Sequence, residues 1–133
     1  MNQETVMKKI ENTEYWDARI LEFEVRYFGD EIVIWMEEDH EYYWKIQFLT
    51  CQDVHYSTDA GRRGDIRVRD MGKPQLGYWA QDIQVTENPV SGFYKVAMDL
   101  DALRVTVVCQ NVLVEKVRRE EKSFYWERNK GYV

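Results

Sequence analysis

The spacing of apolar residues changes once, near the start of the chain. Val6, Met7 and Ile10 recur with the spacing of one helix face, and Asn2 is a residue type favoured at a helix N-cap. Further along, apolar and polar residues alternate one by one, as they do on a strand with one buried face. The pattern therefore predicts a short helix over about residues 2–12, followed by β-structure.

The first predicted strand has a regular alternation. Leu21, Phe23, Val25 and Tyr27 stand between charged residues, so all four are expected on its buried face. A glycine turn leads from it into residues 32–36, which are apolar on both faces. Because such a strand must be covered on both sides, we predict either a central strand or a strand at an interface.

Alternating segments continue along most of the remaining chain, separated by turn signals about every ten residues. We predict a mainly β fold, an antiparallel sandwich or partly open barrel of about seven or eight strands with a short N-terminal helix. The later strands are expected at residues 42–50, 76–85, 93–100, 103–108 and 112–117.

The chain length, 133 residues, is that of one domain. We therefore expect a single domain over residues 1–133. Its expected parts are a helix over about 2–12, a β-meander over about 18–117, a long basic loop over about 60–74 and a C-terminal segment over 118–133.

One short phrase occurs three times, as CQDV at 51–54, AQDI at 80–83 and CQNV at 109–112, each copy 29 residues after the last. The apolar positions change between odd and even numbers at Asp82 in the second copy and at Asn111 in the third. A β-bulge or bend produces such a slip, and Asp and Asn suit it. We interpret the phrase as an architectural corner, with a shared ligand site as the alternative. The residues expected in the core beyond the slips are Ile83, Val85, Val112 and Val114.

The two cysteines, Cys51 and Cys109, occupy equivalent places in two copies of this phrase. A domain of this length needs no disulfide to fold. We therefore expect buried free thiols rather than a disulfide.

Composition narrows the classes of function. The chain is 44% hydrophobic and 14% aromatic, which is typical of a folded domain. Its net charge of −6 argues against general nucleic-acid binding, which needs a basic face. No apolar run is long enough to span a bilayer, and no apolar stretch follows the first lysines as in a signal peptide. We expect a cytoplasmic protein that does not act in a membrane.

Candidate chemistry is sparse. His40 lies in a charged turn, whereas His55 shares a predicted strand face with Asp53 and Ser57. No nucleophile elbow or glycine-rich turn adjoins His55, so we assign no catalytic residues and lean away from an enzyme. Cys51 and His55 lack further ligands at metal-site spacing, and no phosphate-loop or dinucleotide motif is present. We therefore predict no metal and no cofactor.

The predicted loop over residues 60–74 is basic in an acidic chain, with a net charge of +3. One interpretation is a solvated loop whose arginines pair with the acidic body. The other is a contact for a protein partner, an acidic one if the loop charge steers it, with Trp79 close by. The basic residues in question are Arg62, Arg63, Arg67, Arg69 and Lys73.

The pair Tyr-Trp recurs four times. Neighbours on a strand point to opposite faces, so one member of each strand pair should face away from the main core. We favour a covering second layer over an exposed interaction surface. Because residues 32–36 also need cover on both faces, we predict a homodimer, with cover by the N-terminal helix as the alternative.

The segment YWDARIL at residues 15–21, followed by a glycine turn, an apolar strand and Ile46-Gln47-Phe48, resembles a group of small bacterial β-rich domains. Some of these domains are similar to immunity proteins of bacterial toxin systems. Trp16 stands where the group has a histidine. The resemblance implies a β-rich protein-binding role and carries no catalytic residues.

Two functions follow from these patterns. The first is a non-enzymatic module that binds a protein, such as a toxin that it neutralises. The second is a binder of a small ligand, or an enzyme, with an aromatic-lined cleft. The residues predicted for that cleft are Trp35, Trp44, Tyr56, Trp79 and His55.

Overall fold

A computed structural model describes residues 2–90 and 92–128 of the chain. These residues form one six-stranded antiparallel sheet with strand order β1-β2-β3-β6-β5-β4. The elements are α1 (Gln3–Glu11), β1 (Ile20–Arg26), β2 (Glu31–Glu37), β3 (Tyr42–Thr58), β4 (Tyr78–Glu87), β5 (Tyr94–Asp101) and β6 (Leu103–Arg118), with short 3-10 turns between them and after β6.

The N-terminal helix forms where the sequence predicts it. The Asn2 side chain caps α1 by accepting a hydrogen bond of 2.9 Å from the Thr5 backbone N–H. Val6 and Ile10 are fully buried against the sheet. The helix is nine residues long and would be marginal alone, so this apolar stripe supplies its stability.

The mainly antiparallel β fold is confirmed, but the sheet has six strands rather than seven or eight. The difference arises because the predicted strands 103–108 and 112–117 are one strand, β6; β3 is also longer than predicted and continues to Thr58. In β3 and β6 the buried face changes side at positions that lie opposite each other. Thr50 takes a left-handed backbone with φ of 55°, and its neighbour Leu49 still pairs with Asn111. The long strands turn over at this point instead of ending.

The architectural interpretation of the repeated phrase is confirmed. In each copy the first and fourth residues face the same core, and the two between them point away from it. The pairing register shifts between Tyr78 and Asp82 in β4 and between Cys51 and Asp53 in β3. At Asn111 the pairing with β3 is regular, and its side chain accepts a bond of 2.9 Å from the Val112 N–H. The inward-facing pairs are Cys51 with Val54, Ala80 with Ile83, and Cys109 with Val112.

These bends curl the sheet until its two edge strands meet at one end. The backbones of Asp17 and Ala18 bond with that of Ala80, both at 2.8 Å, and Arg19 pairs with Trp79. The sheet does not close into a barrel. The first core lies inside the curl, because residues of all six strands and of α1 converge there.

A second core covers the opposite face of the first three strands. Its strand residues include Val33, Trp35 and Tyr43. Phe124 and Trp126 of the C-terminal segment pack on them, with the ring centroids of Tyr43 and Phe124 5.1 Å apart. The covering second layer that the Tyr-Trp pairs predict is therefore confirmed.

The strand predicted to need two covers receives both from its own chain. All of residues 32–36 are buried, and β2 is an interior strand of the sheet. One cover is the first core with α1, and the other is the C-terminal segment together with the basic loop. The homodimer stays a prediction, but residues 32–36 no longer supply a reason for it.

Truncation of Val112 tests the corner in β6. Val112 is fully buried, whereas its neighbour Leu113 is exposed on the other face. We expect Val112→Ala to lower the free energy of unfolding by about 1–3 kcal/mol, because it removes buried apolar area and leaves a cavity. Leu113→Ala, a larger truncation, should cost less than about 0.5 kcal/mol. Urea denaturation measures both, and equal losses would contradict the slip of the buried face.

Candidate protein-binding surface

The turn between β1 and β2 exposes two aromatic side chains on a strained backbone. Tyr27 and Phe28 have φ of 53° and 59°, in the left-handed region that non-glycine residues rarely adopt. Phe28 is completely exposed, and 72% of Tyr27 is exposed. A left-handed residue of this kind costs about 1–2 kcal/mol, and no burial of Phe28 offsets it.

Further apolar side chains adjoin this turn. Val25 is 46% exposed and Tyr56 54%, and the Tyr56 ring packs edge-on against Phe23 with centroids 5.1 Å apart. We call Phe23, Val25, Tyr27, Phe28 and Tyr56 the β1 edge surface.

The prediction that Val25 and Tyr27 face the core is wrong. β1 has a register irregularity between Ile20 and Glu22. It is an edge strand of the sheet, and among the described residues no other element covers the outer side of its second half. One signal in the sequence marks this place. Two aromatic residues precede the turn glycine, Gly29, where small polar residues usually stand.

The two edges of the sheet are treated differently. Along β4, the Gln3 side chain donates to the Val85 carbonyl at 2.9 Å, and the Tyr15 hydroxyl accepts from the Ile83 N–H at 3.0 Å. β1 pairs with β2 on one side. On its other side, the Leu21 carbonyl accepts a hydrogen bond of 3.0 Å from Trp126 Nε1. The N-terminal segment seals the β4 edge, and among residues 2–90 and 92–128 no backbone bond closes the outer side of β1 from Phe23 onwards.

A cavity of about 410 Å³ lies beside the start of β1. Its walls are mostly apolar and include Tyr56, and Arg63 and Arg69 of the basic loop line it as well. Glu22 also reaches it, but Lys122 Nζ lies 3.0 Å from Glu22 Oε1. Burial raises the pKa of Glu22 and Lys122 opposes that rise, so the pair adds little net charge to the cavity.

The basic loop divides into anchored and unpaired residues. Arg62 Nη1 lies 2.7 Å from Asp101 Oδ1, and Lys73 forms an ion pair with Glu37. Both match the interpretation in which the loop pairs with the acidic body. Arg63 is half-buried at the cavity and Arg67 is exposed, and neither has an ion pair among the described residues. The loop is also more than a solvated segment, because Met71 and Leu76 are buried in the second core.

Glu37 joins three parts of the molecule. Its carboxylate binds Lys73 of the basic loop and, at 3.3 Å, Arg119 of the C-terminal segment. Its backbone N–H donates to the Arg19 carbonyl at 2.9 Å. Burial alone would raise the pKa of Glu37, but the two cations outweigh it and lower the pKa. Both covers of the second core are therefore fixed at one carboxylate.

The aromatic residues predicted to line one cleft lie apart. Trp35 is buried in the second core, and Trp44 is half-buried against the first. Trp79 lies under the Arg19 guanidinium, 4.3 Å from the ring centroid, where the sheet edges meet. Of the five predicted residues only Tyr56 lines the 410 Å³ cavity.

His55 lies on an open groove across the outer face of the sheet, together with Ser57. Its Nε2 is 2.8 Å from Asp53 Oδ1, and 76% of the imidazole side chain is exposed, so nothing encloses the pair. Among the described residues no three His, Cys, Asp or Glu side chains are grouped as a metal site. Both cysteines are free, and burial raises the pKa of Cys51 to about 11 and that of Cys109 to about 12.

Replacement of Glu37 tests its role as the shared anchor. We expect Glu37→Gln to lower the free energy of unfolding by about 1–2 kcal/mol at neutral pH, because two half-buried cations, Lys73 and Arg119, lose their charged partner. The pKa of Glu37 is lowered by folding, so its contribution is complete above the ordinary value of 4.5 and is lost as the pH falls through the folded value.

The stability difference between wild type and Glu37→Gln should therefore shrink in acid, as measured by thermal unfolding across a pH series. Glu38→Gln is the matched control, because Glu38 is exposed and lies next along the chain. A pH-independent difference would show that the charge of Glu37 is not what stabilises the covers.

The sequence was compared with known protein families. The profile of the family described as Immunity protein PIM7 matches residues 2–116, which is most of the chain. No curated protein matches the sequence. In the described part of the chain, no helix is both long enough and apolar enough to cross a bilayer.

Proposed function

The chain belongs to the family of the immunity protein PIM7, and we propose that it neutralises a protein toxin by binding it through the β1 edge surface. The resemblance seen in the segment around residues 15–21 agrees with this membership. Immunity proteins act on a protein partner, so the proposed role requires a surface for recognition and no chemistry on a substrate.

The complete exposure of Phe28 on a left-handed backbone is the observation that supports this choice of surface. Exposed aromatic residues are enriched among the side chains that dominate protein interfaces. The Phe28 side chain is fully exposed, and its backbone is in the left-handed region that phenylalanine disfavours. This conformation lowers stability, and burial of the ring does not offset the loss. Costs of this kind persist at sites that serve binding. Val25, Tyr27 and Tyr56 extend the exposed apolar area around Phe28.

Location and self-association are part of the proposal. The free thiols of Cys51 and Cys109 fit a reducing compartment, and we propose that the protein acts in the cytoplasm. A homodimer would have to use a surface other than residues 32–36. Binding of the toxin and self-association through the β1 edge surface would then compete, and sedimentation of the free chain and of the complex distinguishes them.

Phe28→Asn tests the proposed surface. Asparagine tolerates the left-handed backbone, so the free energy of unfolding should stay the same or rise by about 1 kcal/mol. Affinity for the protein toxin from which the chain protects cells should fall about tenfold or more, because a central aromatic contact is lost. Calorimetric titration measures the affinity, and growth of cells that express both proteins measures the neutralisation.

Val90→Asn is the matched control. Val90 is 48% exposed, about as much as Val25, but it lies in the turn between β4 and β5. It should leave the affinity within about twofold of wild type. An unchanged affinity of Phe28→Asn would reject the β1 edge surface, and no binding of the toxin by the wild-type chain would reject the function.

A further inference from the structure

Three features of the molecule follow one another along the open edge of the sheet. The 410 Å³ cavity is lined by Ile20, Leu21, Glu22 and Phe23. The register irregularity between Ile20 and Glu22 breaks the regular alternation here, and residues of both faces of β1 reach the cavity beside the outer edge of the strand. The edge then runs on through Val25 to the exposed turn at Tyr27–Gly29.

The backbone of this edge is ready to pair. An edge strand presents a row of N–H and C=O groups, and proteins usually cover that row or place charges to repel another strand. β1 carries charges, but its own chain neutralises them. Glu22 and Glu24 lie 3.0 and 3.9 Å from Lys122 Nζ, and Arg26 lies 2.5 Å from Glu24. On the β4 edge, by contrast, side chains of the N-terminal segment bond to the outward-facing backbone groups of Val85 and Ile83.

The wall opposite β1 selects a charge. Arg63 is half-buried at the cavity and has no ion pair among the described residues, while the nearby Glu22 is held by Lys122. A guanidinium beside apolar walls binds a carboxylate more strongly than one in open water, since the local dielectric is lower. The cavity therefore suits an apolar segment that carries an acidic side chain.

Resting on the proposed function, we propose that an extended acidic segment of the protein partner adds a strand to the β1 edge and places a carboxylate on Arg63. Main-chain bonds to the edge provide affinity, as in other cases of strand addition, and the cavity provides the selection. A second copy of this chain fits less well, because it would bring the same basic loop to the same seam.

Short peptides test the two parts of the proposal. The probe is acetyl-Thr-Val-Glu-Val-Thr-amide, titrated into the full chain and followed by amide chemical shifts. One counterpart has Gln in place of Glu, and the other has every backbone nitrogen methylated. We expect the acidic peptide to shift the amides of β1, the Gln peptide to bind about fivefold more weakly, and the methylated peptide not to bind at β1.

Two arginine variants separate the cavity from general charge. Arg63→Gln should abolish the preference for the acidic peptide over the Gln peptide. Arg67→Gln makes the same change of charge in the same loop at an exposed residue that does not line the cavity, and should leave the preference within about twofold. Equal effects of the two variants, or binding by the methylated peptide at β1, would overturn the proposal.

Hydrogen exchange of the toxin complex distinguishes this inference from the proposed function. Strand addition should slow by about tenfold or more the exchange of those amides between Phe23 and Arg26 that point away from β2, because they face solvent in the free chain and become bonded in the complex. A complex that forms and depends on Phe28 but leaves these amides unprotected would overturn strand addition and keep the function. Absence of any complex would overturn the function, and the peptide titrations would then decide the edge site alone.

Discussion

The antiparallel pairing of β3 with β6 is the constraint on which the rest of the structure depends. It runs without interruption of the ladder from Tyr42 with Arg118 to Thr58 with Leu103, apart from one bulge between Cys51 and Asp53. The buried face changes side near Thr50 in β3 and near Asn111 in β6, so the two strands bend together and stay paired on both sides of the bulge. A flat sheet of this size would bury its faces poorly, whereas the bent one wraps its own first core.

The bend also explains why one sheet has two cores. Inside the curl, residues of every strand meet α1, and on the opposite face the second core covers parts of β1, β2 and β3. That second cover comes from two irregular segments that have little internal structure to hold them. Glu37 binds a cation from each, Lys73 and Arg119, so one half-buried carboxylate fixes both segments at the end of β2.

A curled sheet that does not close has two edges, and in this protein the two edges differ in how far other segments cover them. The N-terminal segment saturates the β4 edge with Gln3, Tyr15 and backbone bonds. The β1 edge ends in an exposed aromatic turn and begins at a cavity lined by Arg63, which has no ion pair with any residue that the structure describes. An open edge invites aggregation unless a partner uses it, so its persistence in a member of an immunity family fits a surface kept for binding.

Features that depend on local periodicity could be predicted from the order of residues alone. The sequence placed α1, the buried strand at residues 32–36 and the corners in the three repeated phrases, because side-chain alternation and capping act over a few residues. It also indicated the second layer through the Tyr-Trp pairs and the immunity resemblance through residues 15–21.

Which apolar residues stay outside the core depends on the packing of distant segments. Val25 and Tyr27 continue the alternation of Leu21 and Phe23 in the sequence, but the irregularity in β1 places Leu21 in the second core and Phe23 against the first. Val25 and Tyr27 are exposed because β1 is an edge strand, which the order of strands in the sheet sets. The same holds for charge. Nothing in the sequence distinguishes the basic residues of the loop from one another. In the structure, Asp101 pairs with Arg62 and Glu37 pairs with Lys73, both from distant strands, whereas Arg63 lies at the cavity. Periodicity reports which face of a strand a side chain takes, and the packing of distant segments decides whether that face is covered.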